Sequence, residues 1–147
     1  MKIKKHLKSA WVTRSKTDRV RIKPWGREEN WAGFYGIHGK TLFINKGERT
    51  SLKYYTKKTE ILFVRSGVVN VTFGNECSIE DPVANPMMNE TLVEGDTLMV
   101  QSSCPYRITA VDDSEIIEIG DHMSDKPIRL EDDYGRANIN KDAEKEK

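Results

Sequence analysis

Residues 47–67 read GERTSLKYYTKKTEILFVRSG and hold three side chains whose types and spacing could do chemistry: Lys53, Tyr55 and Glu60. Lys53 and Tyr55 stand two apart, so on a strand they point to one face. Glu60, at the head of the next apolar run, should join them from a neighbouring strand. An ammonium beside a carboxylate can polarise a carbonyl and pass a proton, provided the surroundings bring both groups toward neutrality. The same two groups can instead neutralise one another, because charges taken out of water need partners. Both readings stand at this level. A divalent metal is not expected here: a lysine ammonium repels it, and a neutral tyrosine is a poor ligand.

The elements that must position these groups are strands. Short β-type runs occupy 41–45, 51–55, 60–65, 68–73, 97–101, 106–111 and 115–119. So many strands in about 80 residues predict an all-β sandwich or barrel. Arg65-Ser66-Gly67 lies between two strongly apolar runs and reads as a tight hairpin turn. Residues 74–94, with Pro82, Pro86 and three asparagines, read as a long loop or an added hairpin.

With 147 residues, the chain is expected to fold as one domain able to bury a core without disulfide or metal staples. A net charge of +1 argues against a whole-surface nucleic-acid binder. The first 23 residues nevertheless carry nine Lys or Arg against the single acidic Asp18. They read either as a phosphate contact or as a solvated arm or edge strand, the second being the plainer reading. Residues 137–147 are polar and read as a disordered tail. No run of about 18 apolar residues is present, so no membrane span is expected. Two cysteines, Cys77 and Cys104, and no signal-like start point to a reducing cytoplasm. His6, His38 and His122 show no metal-ligand spacing with one another.

A second glycine-led stretch, Gly95-Asp96-Thr97, places Tyr106 eleven residues after Gly95. With Gly47, Lys53, Tyr55, Glu60 and Gly67, it resembles the two motifs of the cupin superfamily, whose fold is a double-stranded β-helix or jelly-roll barrel. Outside the motifs, Lys23-Pro24-Trp25-Gly26, Ser51-Leu52, Tyr106-Arg107 and the stretch RLEDDYGR at 129–136 are similar to the cupin domain of type II mannose-6-phosphate isomerases. The resemblance spans residues 23–136 and sets the expected organisation: an arm at 1–22, the barrel at 23–136 and the tail at 137–147.

The resemblance implies a homodimer and a metal held at four inward positions, which are Lys53, Tyr55, Glu60 and Tyr106 in this chain. Only the glutamate of the family's ligand set remains, so the expectation is a barrel with no metal in that site and no cofactor. The expected function is binding of a carbohydrate or sugar phosphate by Lys53, Tyr55, Glu60, Tyr106 and Arg136. If isomerisation is retained, Glu60 would be the base and Lys53 the electrophile. The alternative is a non-catalytic dimerising module with a filled pocket. Arg136 is carried over from the resemblance and has a salt bridge to Glu131, Asp132 or Asp133 as its plain alternative. Arg107, one residue on from Tyr106, should face outward.

Overall fold

The structure, a computed structural model, describes residues 19–137 together with Val12, Arg14 and Lys16. His6, Trp11, most of the basic arm and the tail from residue 138 lie outside the described residues. Eleven strands run in chain order as β1 (Arg19–Lys23), β2 (Gly26–Phe34), β3 (Ile37–Ile44), β4 (Leu52–Tyr54), β5 (Glu60–Ser66), β6 (Val68–Phe73), β7 (Met88–Val93), β8 (Thr97–Val100), β9 (Tyr106–Ala110), β10 (Ser114–Gly120) and β11 (Ile128–Glu131). They form two antiparallel sheets, ordered β1-β2-β3-β10-β5-β8 and β11-β4-β9-β6-β7.

Alternation along the strands makes the core. Leu42 and Ile44 on β3, Leu62 and Val64 on β5, and Ile116 on β10 face Val69 and Val71 on β6 and Ile108 and Ala110 on β9. Each such buried side chain contributes roughly 1.5–3 kcal/mol by leaving water. Trp25 is buried with them. Gly26 beside it lies so close to β3 that a Cβ there would meet the Phe43 carbonyl oxygen at 1.9 Å. Packing thus accounts for the Pro-Trp-Gly stretch.

Arg65-Ser66-Gly67 is a corner and not a hairpin. β5 pairs with β8 and β10, whereas β6 pairs with β7 and β9, so the chain crosses from one sheet to the other at this point. Gly67 makes the crossing at φ +89°, and a Cβ on it would meet the Asp113 carbonyl oxygen at 2.5 Å. The sequence correctly signals a glycine-requiring turn but does not say which strands pair across it. β2, β7 and β11 are strands that the apolar pattern did not reveal, β2 because it places Glu28 and Asn30 where an apolar residue was looked for. The excursion at 74–94 contains a 3-10 turn at Glu76–Ser78, capped by Asn75, followed by β7.

The outward face of the six-stranded sheet is apolar at one end. Ile119 is in register with Ile61, and Ile61 with Met99, and these side chains are 42%, 42% and 62% exposed. No helix among the described residues is long and apolar enough to cross a membrane.

Candidate functional site

One end of the barrel interior is apolar and the other is charged, and strand parity decides which residues are there. On β3, His38 and Lys40 continue the inward row of Leu42 and Ile44. On β10, Glu118 follows Ile116, and on β5, Glu60 precedes Leu62. Lys53 on β4 is in register with Tyr106 on β9. The structure therefore brings together Lys53, Tyr55 and Glu60, as their spacing predicts, and Tyr106, as the resemblance implies.

They close over one another. Glu60 and Tyr106 are each 1% exposed, and the Tyr106 hydroxyl donates to Glu60 Oε1 at 3.1 Å, joining the two sheets. Lys53 Nζ stands 5.5 Å from the centroid of the Tyr106 ring, and Lys58 Nζ lies 4.4 Å over Tyr55. Lys53 is half-buried and makes no direct ion pair with Glu60. Its charge reaches Glu60 only as a longer-range attraction, weaker than the effect of burial, which holds the Lys53 ammonium below its usual range.

The immediate neighbour of Glu60 is another carboxyl, Glu118, which the sequence reading did not single out. Burial, the charge of Glu118 and a hydrogen bond to it push Glu60 up to about 8, against partial compensation by Lys53 and Lys58. Burial also opposes ionisation of Glu118, but Lys40, the hydrogen bond from Glu60, Lys53 and His38 outweigh it and hold Glu118 down at about 2. One proton is thus shared by a buried acid pair, with Glu60 neutral and Glu118 charged at neutral pH. Lys40 supplies the counter-charge, its Nζ 3.4 Å from Glu118 Oε2 and 3.3 Å from Glu28 Oε2. Burial lowers Lys40, yet Glu118 and Glu28 together raise it above its usual range. Lys23 adds a weaker contact to Glu28 at 3.9 Å.

His38 completes the cluster. Its Nδ1 lies 3.7 Å from Glu118 Oε2, and burial keeps the ring neutral against the pull of that carboxylate. Gly120, in register with both His38 and Glu60, leaves the imidazole its space: a Cβ on Gly120 would meet His38 Nε2 at 2.4 Å. Lys40 and Glu118 escape the sequence reading, and His38 shows no ligand spacing to another histidine, because all three lie far from the motif in the chain. The available signal was parity, a lone charge at an inward position of an otherwise apolar strand.

The metal implied by the resemblance does not fit these residues. Burial drives the hydroxyls of Tyr55 and Tyr106 upward, so neither offers a phenolate, and Lys53 is a cation. Another donor set exists in His38, Glu60 and Glu118, whose donor atoms lie within 4.8 Å of one another. His38 Nε2, Glu60 Oε2 and Glu118 Oε2 make no hydrogen bond between fixed atoms. A proton between the two carboxyls satisfies two of these atoms. Lys40 against Glu118, and Lys53 and Lys58 acting on Glu60, already place three lysines around the pair, which disfavours a further cation there.

Arg136 stands apart from the cluster. It clasps Asp132 through two side-chain bonds of 2.8 and 3.0 Å and one from its backbone N–H of 2.7 Å. Arg49 holds Asp133 at 2.6 and 2.7 Å, and the Tyr134 hydroxyl donates to Glu48. Arg107 faces outward from β9, as its position predicts. It is buried there, donating to the Thr50 carbonyl at 2.9 Å and pairing with Glu131 at 3.4 Å. The RLEDDYGR stretch is thus a clasp that fastens β11 and the residues after it to the barrel wall. Cys104 is half-buried, and burial raises its thiol, which leaves it unactivated. His122 is exposed beside Asp121.

No protein-family model and no curated protein matches the sequence. Solved structures share its architecture at low identity. KdgF from Halomonas sp. superposes with a TM-score of 0.59 at 13% identity, covering 71% of this chain and 88% of that one. A variant of oxalate decarboxylase from Bacillus subtilis gives 0.66 at 16% identity, covering 86% and 34%. CapF from Staphylococcus aureus, a capsular polysaccharide assembling protein, gives 0.56 at 11% identity, covering 80% and 30%. The chain therefore spans about a third of the length of the last two. The shared architecture is that of a single-domain, all-β cupin barrel.

Proposed function

We propose that this cupin barrel is a metal-independent binding module for a carbohydrate or sugar phosphate, and that the cluster around Glu60 is structural and not catalytic. The observation that carries the non-catalytic half of the reading is the closure of the cluster, which fills the pocket the resemblance implies. Glu60 is spent on Tyr106 and Glu118, and a base must reach the proton it removes to within hydrogen-bond distance. The likeness to a capsular polysaccharide assembling protein supports the sugar class, as does the resemblance to type II mannose-6-phosphate isomerases. One observation favours isomerisation as a second reading: a carboxyl raised to about 8 beside a lysine held low is the kind of pair acid-base chemistry uses.

Isomerisation of mannose 6-phosphate or fructose 6-phosphate separates the two readings. The expected outcome is the same background conversion for wild type and Glu60→Gln. A wild-type rate that collapses in Glu60→Gln assigns catalysis to the cluster and removes the structural reading.

Self-association is part of the proposal. The row Ile119, Ile61 and Met99, with Ile37 57% exposed near it, would cover its like in a second copy of this chain without burying an unpaired charge. Light scattering on a sizing column is expected to give a dimer for wild type and a monomer for Ile61→Glu. A dimer that survives Ile61→Glu places the interface elsewhere.

A further inference from the structure

Where β1 pairs with β2, a second feature lies apart from the closed cluster. A cleft of about 330 Å³ is bounded there by Lys16, Arg19 and Arg21, with Asn30 in its wall and Trp31 and Phe34 at its apolar side. The volume is that of a small-molecule site. Its polar side chains are nearly all donors. None of the three cations forms an ion pair among the described residues, whereas other basic residues of this sheet are paired: Arg27 with Glu29, Lys23 and Lys40 with Glu28, and Arg65 with Glu115. Asn30 Nδ2 is buried and makes no hydrogen bond. Asn30 is in register with Arg19 on one side and Lys40 on the other, so the wall of the cleft lies between Arg19 and the lysine that neutralises the buried acids. The Trp31 N–H is already given to Thr41 Oγ1 at 3.1 Å, which leaves the ring as an apolar surface.

Three exposed cations on one cleft, with no ion-pair partner among the described residues, suit a ligand rich in acceptors and negative charge, and arginine forks suit tetrahedral oxyanions. We propose that this cleft binds the phosphate group of a small phosphorylated ligand, with the rest of the ligand packed toward Trp31 and Phe34. The inference builds on the sugar-phosphate reading above, and it moves the binding site from the closed cluster to the β1–β2 cleft.

Calorimetry with mannose 6-phosphate, inorganic phosphate and uncharged mannose tests it on the full chain. Both anions are expected to bind wild type, mannose not. Arg19→Ala/Arg21→Ala, which alters only exposed side chains, should weaken both anions by at least about tenfold, the scale of losing charge-assisted bonds. Lys46→Ala/Arg65→Ala, which removes equal charge elsewhere on the surface, should retain binding. Loss in Lys53→Met with retention in Arg19→Ala/Arg21→Ala overturns the cleft and leaves the sugar-phosphate reading standing. Arginine-dependent binding of inorganic phosphate without mannose 6-phosphate upholds the cleft and removes the sugar. Binding of neither anion to wild type, or an equal loss in the Lys46→Ala/Arg65→Ala control, overturns the inference.

Discussion

Lys40→Met is expected to cost the fold about 3–5 kcal/mol at neutral pH, the penalty of leaving buried charges without their partner. Lys40 Nζ contacts Glu28 and Glu118 at 3.3 and 3.4 Å, and those two side chains are 7% and 5% exposed. Methionine fills the space of the lysine stem but returns no charge, so Glu118 is left without a lysine in contact and Glu28 keeps only Lys23 at 3.9 Å. The loss should shrink as the pH falls, since protonation relieves the uncompensated Glu118. Urea unfolding at neutral and acidic pH measures it. Arg65→Ala provides the scale for an exposed pair: its contact with Glu115 at 3.3 Å lies at the surface, and its removal should change stability by less than about 1 kcal/mol. A Lys40→Met loss no larger than that of Arg65→Ala would mean that the buried acids carry no charge that needs compensation.

The second large effect is a pH dependence with an unusual sign. Glu60 is raised from 4.5 in a free chain to about 8 in the fold, so its contribution to stability is fully present below pH 4.5 and is lost between 4.5 and about 8. Glu118 runs the other way. Lowered to about 2, it contributes above pH 4.5 and loses that contribution as the pH falls toward 2. Wild type should therefore be most stable in mildly acid solution and weaken toward pH 8, at up to about 1.4 kcal/mol per pH unit from this group. Glu60→Gln keeps an acceptor for Tyr106 and a donor for Glu118 but cannot ionise. It is expected to match wild type near pH 4.5 and to exceed it by a few kcal/mol above about pH 8. Parallel stability curves for the two proteins, measured by urea unfolding across this range, would contradict the neutral state of Glu60.

How far the site was legible follows from where its residues lie in the chain. Lys53, Tyr55 and Glu60 sit within one short stretch, and a two-residue step on a strand is enough to aim the first two at one face. Tyr106 joined them through the resemblance of its motif, and the structure hydrogen-bonds it to Glu60. Glu118, His38 and Lys40 belong to β3 and β10, whose pairing joins distant parts of the chain, and no local pattern says which inward charge will meet which. The direct pairing of Lys53 with Glu60 weighed from sequence is replaced by a carboxyl pair served by Lys40, a difference decided by strand order. The glycines behaved in a similar way. Gly67 marks a turn from sequence alone, but whether the turn closes a hairpin or passes between sheets depends on strands that pair elsewhere. Arg136, carried over from the resemblance as a binding residue with a salt bridge as its plain alternative, makes that salt bridge with Asp132, while Asp133 is held by Arg49.

A single proton, shared by Glu60 and Glu118, stands where a metal would be looked for in this barrel. Carbon-13 NMR of the glutamate side-chain carboxyls, assigned with Glu60→Gln and Glu118→Gln, reads that proton directly. The expected result is one buried carboxyl, Glu60, that ionises near pH 8, and another, Glu118, that stays ionised down to about pH 2. Two buried carboxyls that are both ionised throughout the neutral range, together with stoichiometric metal in the purified protein, would contradict it.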